Sequence, residues 1–451
     1  MKSGDTRVRV ASGFGAFVAI WLGQALSLVG SRTSRFALGV WMYGQTGEAT
    51  PFAYVALCDA LPGLLLTPLS GLVGDRHDRR LVMLVSDSIS ALAVLALLIL
   101  SSAELLRPWH LYAAMVVGSS ASAFQQPAFS AAVPLIVPAN WLGRASGLMQ
   151  LAEGVAQLLS PALAGLLLGV LGLRGVLLVD LITFLCATAA LLPFRFRPPP
   201  ASQDTPPDTG SWWRDAFAGW SYLSARPPLQ ALLFTGLAMS LILCLVEVLV
   251  PVLLLGLTTP ATMGLVVSAS GVGALAGSAV MSAWGGPRRR VLGVLGFAAM
   301  EAVSLGVAGT RPSVPLLAAA GFSLMFFASL VWSCAQALWQ AKVGPGVQAR
   351  VFSIRRTGGE LVAVAAYLLA GPLVDRVFEP LLAEGGPLAR SVGVLLGTGP
   401  GRGLGLLFVC LGLLMALISV GGLLWPRLRG LDEELPDVTE EARREAPAGS
   451  T

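Results

Sequence analysis

The stretch Gly71-Leu-Val-Gly-Asp75-Arg76-His77-Asp78-Arg79-Arg80 crowds arginines and aspartates into a few positions, and on either side lie the apolar runs 51–73 and 81–102. A bilayer core of about 30 Å takes about 20 mainly apolar residues as helix, because unpaired backbone groups cannot be left in hydrocarbon. Both runs have that length, so the charged stretch reads as a short loop joining two membrane-crossing helices. Working outward, the same kind of segment recurs at 13–42, 51–73, 81–102, 109–134, 146–170, 173–194, 229–256, 261–284, 289–309, 313–341, 355–378 and 403–426. Composition agrees. Of 451 residues 55% are hydrophobic and only 12% charged, against roughly 25% charged in a soluble domain. The 52 glycines suit helices that approach closely in lipid. The expected fold class is all-α, a polytopic membrane protein of twelve transmembrane helices in two pseudo-symmetric six-helix bundles.

Basic residues set the expected orientation, since cytoplasmic loops hold an excess of Lys and Arg. With the N-terminus inside, the cytoplasmic segments collect Lys2, Arg7 and Arg9, then Arg76, Arg79 and Arg80, Arg144, the linker arginines, Arg288 to Arg290, Lys342, Arg350, Arg355 and Arg356, and the tail arginines. The external loops hold far fewer. Both termini are therefore expected in the cytoplasm of a cell whose inner membrane the chain crosses. The first apolar segment is too long for a secretory signal and is read as a retained helix.

The proline-rich run Arg195-Phe-Arg-Pro-Pro-Pro-Ala-Ser-Gln-Asp-Thr-Pro-Pro-Asp divides the chain. The expected organisation is an N-terminal bundle over 1–194, a cytoplasmic linker over 195–228, a C-terminal bundle over 229–426 and a disordered acidic tail over 427–451. Within the linker, Trp213, Phe217 and Trp220 recur at helical spacing beside Arg214 and Asp215. They predict either a short interfacial helix or the start of the seventh segment. The halves echo each other at offsets of about 206 to 210 residues: Val137, Arg144 and Glu153 match Val343, Arg350 and Glu360, and the charged loop 75–80 matches Arg288 to Arg290. Duplication of a six-helix unit leaves such a trace.

Several function classes are excluded by what the chain lacks. The five cysteines lie far apart in apolar stretches, and His77 and His110 are too distant for a helical zinc pair. Neither lysine follows a glycine, so no G-x-x-x-x-G-K-[ST] loop exists, and no serine sits in G-x-S-x-G. No metal, cofactor or enzymatic role is expected. The formal charge of +5 is too mild and too periodic to suggest nucleic acid.

The opening stretch resembles the G-x-x-x-D-R-x-G-R-R signature of the major facilitator superfamily, with Asp78 where that family usually has glycine. The stretches Gln24-Ala-Leu-Ser-Leu-Val-Gly-Ser-Arg, Phe124-Gln-Gln-Pro-Ala-Phe, Gln340-Ala-Lys-Val-Gly-Pro and Leu369-Ala-Gly-Pro-Leu-Val-Asp are similar to the macrolide-efflux-like branch, which holds drug:proton antiporters. The antiporter signature of the fifth helix survives only as Gly154 followed by Ser160-Pro161-Ala-Leu-Ala-Gly165. The resemblance implies a secondary transporter that exports a hydrophobic or amphipathic small molecule (an antibiotic, drug or secondary metabolite) in exchange for protons, and the chain is expected to work as a monomer in the lipid bilayer. It also implies that Gly71, Asp75, Arg76, Arg79 and Arg80 form a conformational switch, with Asp75 capping the eleventh helix. Import or lipid transport by the same fold, and a non-transporting receptor or scaffold, are the alternatives.

A charge at bilayer depth is costly and points to function. Glu247, Glu153 and Asp59 are the first candidates for proton coupling, because a carboxyl group in apolar surroundings can exchange a proton near neutral pH. Asp180 and Glu301 are expected to hydrogen-bond neighbouring helices. Arg32 and Arg35 lie at the depth of Asp59, as a gate or ion pair, or else reach to the external interface. Gln24, Phe124, Gln125, Gln126, Gln157, Trp332 and Gln336 are expected to offer aromatic and amide surface to an amphipathic substrate between the halves. Gly165, Gly273 and Gly277 predict close helix packing, and Pro161 and Pro372 predict kinks.

Overall fold

The structure, a computed structural model, describes residues 9–10, 13–195 and 219–431. Helix α1 spans Phe14–Thr46 and stops at Gly47, whose φ of 69° places it in the left-handed region, with its N–H bonded to the Tyr43 carbonyl. Helices α2 (Ala49–Arg76) and α3 (Arg79–Ser102) follow. The Asp78 carboxylate caps α3 by accepting from the Arg80 N–H at 2.9 Å. This explains an aspartate where the resembled signature has glycine. Helix α4 spans Pro108–Ile136. The run Leu142–Leu191 is continuous in hydrogen bonding but broken at Gly172, which has φ 64° and ψ −177°. It is treated below as α5 (142–171) and α6 (173–191).

The second half continues as α7 (Pro227–Leu255), α8 (Pro260–Trp284), α9 (Arg290–Thr310), α10 (Val314–Lys342), α11 (Pro345–Pro372) and α12 (Arg402–Leu424). Proline stands in the first turn of α4, α7, α10 and α11. There its missing N–H would have had no helical partner anyway. After Pro372 the chain makes a π-helical turn, Leu373–Phe378. The Glu379 carboxylate then accepts from the N–H groups of Gly401 and Leu404, both at 3.3 Å, capping α12.

Among the described residues ten helices are long and apolar enough to cross a membrane, counting Leu142–Leu191 once. Helix α4 is not one of the ten: Ser119, Ser120, Ser122, Gln125, Gln126 and Ser130 dilute its apolar character. The expected number of twelve thus depends on dividing the chain at Gly172 and on admitting α4. One minimal strand pair accompanies the helices. Arg9 and Val10 run parallel to Phe194 and Arg195, joining the chain start to the exit of α6. Of the linker aromatics, Trp213 and Phe217 lie outside the described residues. Trp220 lies edge-on to Phe234 of α7, with ring centroids 6.4 Å apart. The tail beyond residue 431 also lies outside.

Contacts divide the chain into two units. Unit 1 comprises Met1–Asp204 with Thr258–Ser268, the first turns of α8; unit 2 comprises Thr205–Leu257 and Ala269–Thr451. In unit 1, Phe17, Ile20, Met83, Ala128, Val133, Ile136 and Leu191 form one buried cluster, and Leu38, Met42, Leu97, Leu111 and Leu177 another. Helix α1 approaches α6 through small residues: a Cβ on Gly23 would meet Ala187 and Ala190, and one on Gly30 would meet Thr183. Similarly, a Cβ on Gly165 of α5 would strike the Pro260 carbonyl, while Gly169 faces open space. Pro161, one turn before Gly165, does not interrupt the assigned helix.

In unit 2, Gly273 and Gly277 of α8 abut the Phe322 and Phe326 carbonyls of α10. A seam of Gly309, Gly405 and Gly412 joins α9 to α12. Outward-facing Leu92, Val170, Leu265, Leu417 and Leu424 are exposed, as suits side chains meeting lipid tails.

Candidate functional site

Helix α1 carries a polar stripe, Gln24, Ser27, Ser31 and Ser34, at alternating spacings of three and four residues. These residues share one face. Each half of the stripe meets a buried acid. The Gln24 amide donates to Asp87 of α3 at 3.1 Å, and Gln125 of α4 donates in turn to Gln24 Oε1. Ser31 donates to Asp180 of α6 at 3.2 Å, and Ser34 donates to its other carboxylate oxygen. Asp87 and Asp180 are 4% and 1% exposed, so the donors offset a burial that would otherwise be costly.

Beside the stripe lie two ion pairs. Arg32 joins Glu153 of α5, and Gln126 of α4 donates to the other Glu153 oxygen at 3.0 Å. Arg35 stands 2.8 Å from Asp59 Oδ1 of α2 and donates to Ser122 of α4 at 3.0 Å. The Arg35–Asp59 contact has ion-pair distance without well-directed hydrogen-bond geometry, because that carboxylate oxygen has no hydrogen-bond partner. These side chains are about one third exposed: 36% and 37% for the first pair, 29% and 34% for the second. They border two small cavities within unit 1. One, of about 140 Å³, is lined by Arg32, Arg35, Asp87 and Phe184; the other, of about 170 Å³, by Trp21, Gln126, Met149 and Glu153.

Several expectations change here. Glu153 is not in apolar surroundings but holds Arg32 and Gln126. Both arginines turn inward to acids instead of reaching for the external interface. Gln24, Gln125 and Gln126 line the cavities, yet their amides are already engaged. Phe124 lies elsewhere, in a groove with His77, Leu81 and Val85, and Gln157 is exposed. Glu247 is exposed on α7 between the buried Val246 and Val248, whereas its sequence surroundings predict burial.

The side chains of Asp75 and Arg76 and the surroundings of Gly71 lie outside what the structure describes, so the expected switch is visible only in part. Arg79 donates to the Ala131 carbonyl of α4 at 2.6 Å, and Arg80 to the Leu192 carbonyl at the end of α6 at 2.7 Å. The Leu192 carbonyl lies past the last turn of α6 and has no helical partner, whereas Ala131 lies inside the last two turns of α4. The two arginines thus bind the α2–α3 loop to two neighbouring helix ends.

In unit 2, Trp332 and Gln336 line a larger cavity of about 570 Å³ together with Glu301, Trp339, Phe352 and Arg355. Sequence reasoning missed Arg355 because it starts the eleventh segment at that residue. The helix begins ten residues earlier at Pro345, which carries Arg355 into the unit. Glu301 departs from its expected role, since neither oxygen has a hydrogen-bond partner. Asp180 has the partners that were expected of it.

A multi-pass helical chain with charges paired between helices and small polar cavities beside them has the build of a membrane transporter. The sequence profile of the Major Facilitator Superfamily matches residues 20–367, and the chain belongs to that superfamily of transporters, which are not enzymes. It is 27% identical to Macrolide efflux protein A of Streptococcus pyogenes, over 80% of this chain and 90% of that protein. It is 25% identical to the multidrug efflux pump Tap of Mycolicibacterium fortuitum, over 87% and 91%. The crystal structure of the nucleoside transporter NupG superposes with a TM-score of 0.69 at 11% identity, covering 91% of this chain and all of that one.

Proposed function

We propose that the chain is a secondary exporter of hydrophobic or amphipathic small molecules, of the macrolide or multidrug kind, driven by exchange for protons. The observation that carries this reading is the similarity to Macrolide efflux protein A, which extends over most of both chains. The chain works by alternating access in a cell membrane, with both termini cytoplasmic and the protein acting as a monomer.

The unit 1 ion pairs support the coupling part. A proton arriving at Glu153 neutralises the partner of Arg32, and one at Asp59 does the same for Arg35. Each event loosens a link between helices and alters the wall of a cavity, which is what coupling requires. Glu247 completes the set of coupling acids. Asp75 and Arg76, with Arg79 and Arg80, act as the switch at the cytoplasmic side. The larger unit 2 cavity, with Trp332 and Gln336, contributes substrate contacts.

The test is expression in a drug-hypersensitive bacterial host. Wild-type protein raises the inhibitory concentration of a macrolide at least about fourfold. Asp75→Asn, Glu153→Gln and Glu247→Gln lose that protection while inserting normally. Unchanged protection in all three variants contradicts the assigned roles, and no protection by wild type against any hydrophobic drug contradicts export.

A further inference from the structure

Between α11 and α12 the chain builds a small loop that turns its apolar side chains outward. Gly385, Gly397, Gly399 and Gly401 have φ of 84°, 87°, 111° and 78°, a region that favours glycine. The loop is tied to itself: the Leu388 N–H donates to the Leu381 carbonyl at 3.1 Å, and the Gly399 N–H to that of Leu382 at 3.0 Å. Between these ties lies the short helix Gly393–Leu396. Its Gly393 is buried, yet Val394 and Leu395 are 77% and 85% exposed, the two highest values for any large apolar side chain among the described residues. An ordered backbone that holds two such side chains out is stable in an apolar medium and not in water.

The surroundings name that medium. The short helix packs on α9 and α12, and Val303 and Val307, exposed on one face of α9, lead toward it along a surface that meets lipid. Three arginines flank it. Arg402 lays its guanidinium against Gly397, where an added Cβ would come within 3.0 Å of Nε. Arg390 is exposed three residues before the helix, and exposed Arg311 follows the end of α9, where Gly309 abuts Gly405 of α12. None of the three pairs with an acid among the described residues. Glu379 is engaged by the N–H groups of α12, and Glu384 of the same loop makes no ion pair. We propose that this loop is an interfacial anchor: Val394 and Leu395 enter the leaflet on their own side of the membrane, and the arginines take the headgroup of an anionic phospholipid. Apolar side chains beside basic ones seat a segment at the boundary of acyl chains and headgroups, and basic residues there attract anionic lipid. The inference needs the chain to cross the membrane and is independent of the export reading.

The test replaces Leu395 by the photoreactive p-benzoylphenylalanine in the otherwise native full-length chain, reconstituted in vesicles of equal parts phosphatidylglycerol and phosphatidylcholine. After illumination, mass spectrometry of the peptide that contains position 395 is expected to show phospholipid adducts. Absence of lipid adducts, or attachment to a second copy of the chain in their place, overturns the proposal. The arginines are tested by the ratio of phosphatidylglycerol to phosphatidylcholine adducts at this position. Arg311→Gln, Arg390→Gln and Arg402→Gln together are expected to lower that ratio at least about threefold, given the attraction of each basic residue for an anionic surface. A ratio unchanged by the three substitutions overturns the headgroup site. Should the triple variant fail to insert, the ratio is read with the arginines in place at low salt and at about 1 M salt, where charges are screened within about 3 Å. A fall with salt supports the site, and a constant ratio overturns it.

Discussion

Asp180 and Glu301 are both buried acids, but only one of them has hydrogen-bond partners. Asp180 accepts from Ser31 and Ser34, so Asp180→Asn loses charge-assisted bonds and is expected to cost roughly 1–3 kcal/mol. Thermal unfolding in detergent reads this as a lowered midpoint. Glu301 has no such bonds, and Glu301→Gln is expected to leave the same midpoint unchanged or raised. For the half-buried Arg32–Glu153 pair, removing either partner is expected to cost roughly 0.5–2 kcal/mol, between the exposed and buried limits. The double variant costs less than the sum of the singles, which a thermal double-mutant cycle checks. Which residues are charged was legible in the sequence, but their partners were not. An apolar setting along the chain says nothing about which neighbouring helix presents its charge. The α1 stripe carried a signal that the sequence reading did not use: the spacing of Gln24, Ser27, Ser31 and Ser34 puts all four on one face of the helix.

For the helices, glycine position matters more than glycine number. Gly273 abuts a backbone carbonyl of α10, which cannot retreat as a flexible side chain would. Gly273→Leu is expected to destabilise unit 2 by roughly 1–3 kcal/mol, visible as lower yield of monodisperse protein and a lower unfolding midpoint. Gly169→Ala faces open space and is expected to be neutral or to stabilise by roughly 0.5–1 kcal/mol, the usual gain in a helix interior. The spacing G-x-x-x-G at 165–169 and at 273–277 looks alike in the sequence. Only the packing partner distinguishes them, and that is a tertiary fact. Helix starts were harder to read than helix cores: Arg350, Arg355 and Arg356 look like a cytoplasmic cluster, yet Pro345 opens the helix before them and carries Arg355 into a cavity.

For the whole molecule, hydropathy was sufficient to identify a polytopic helical protein, because the bilayer leaves the backbone so few alternatives. The exact number of crossings was less secure, for reasons visible at Gly172 and in the polar α4. The charged stretch at 71–80 led to the superfamily, and the matched profile over 20–367 agrees. In the proposed function, cargo and coupling depend on the cavities, which no linear pattern encodes. The central claim is proton-driven export, and it is tested most directly in proteoliposomes holding the purified protein and a fluorescent macrolide. An imposed pH gradient should drive uphill movement of the drug, and a protonophore should abolish it. Drug movement that ignores the gradient, or equals that of protein-free liposomes, would contradict the account.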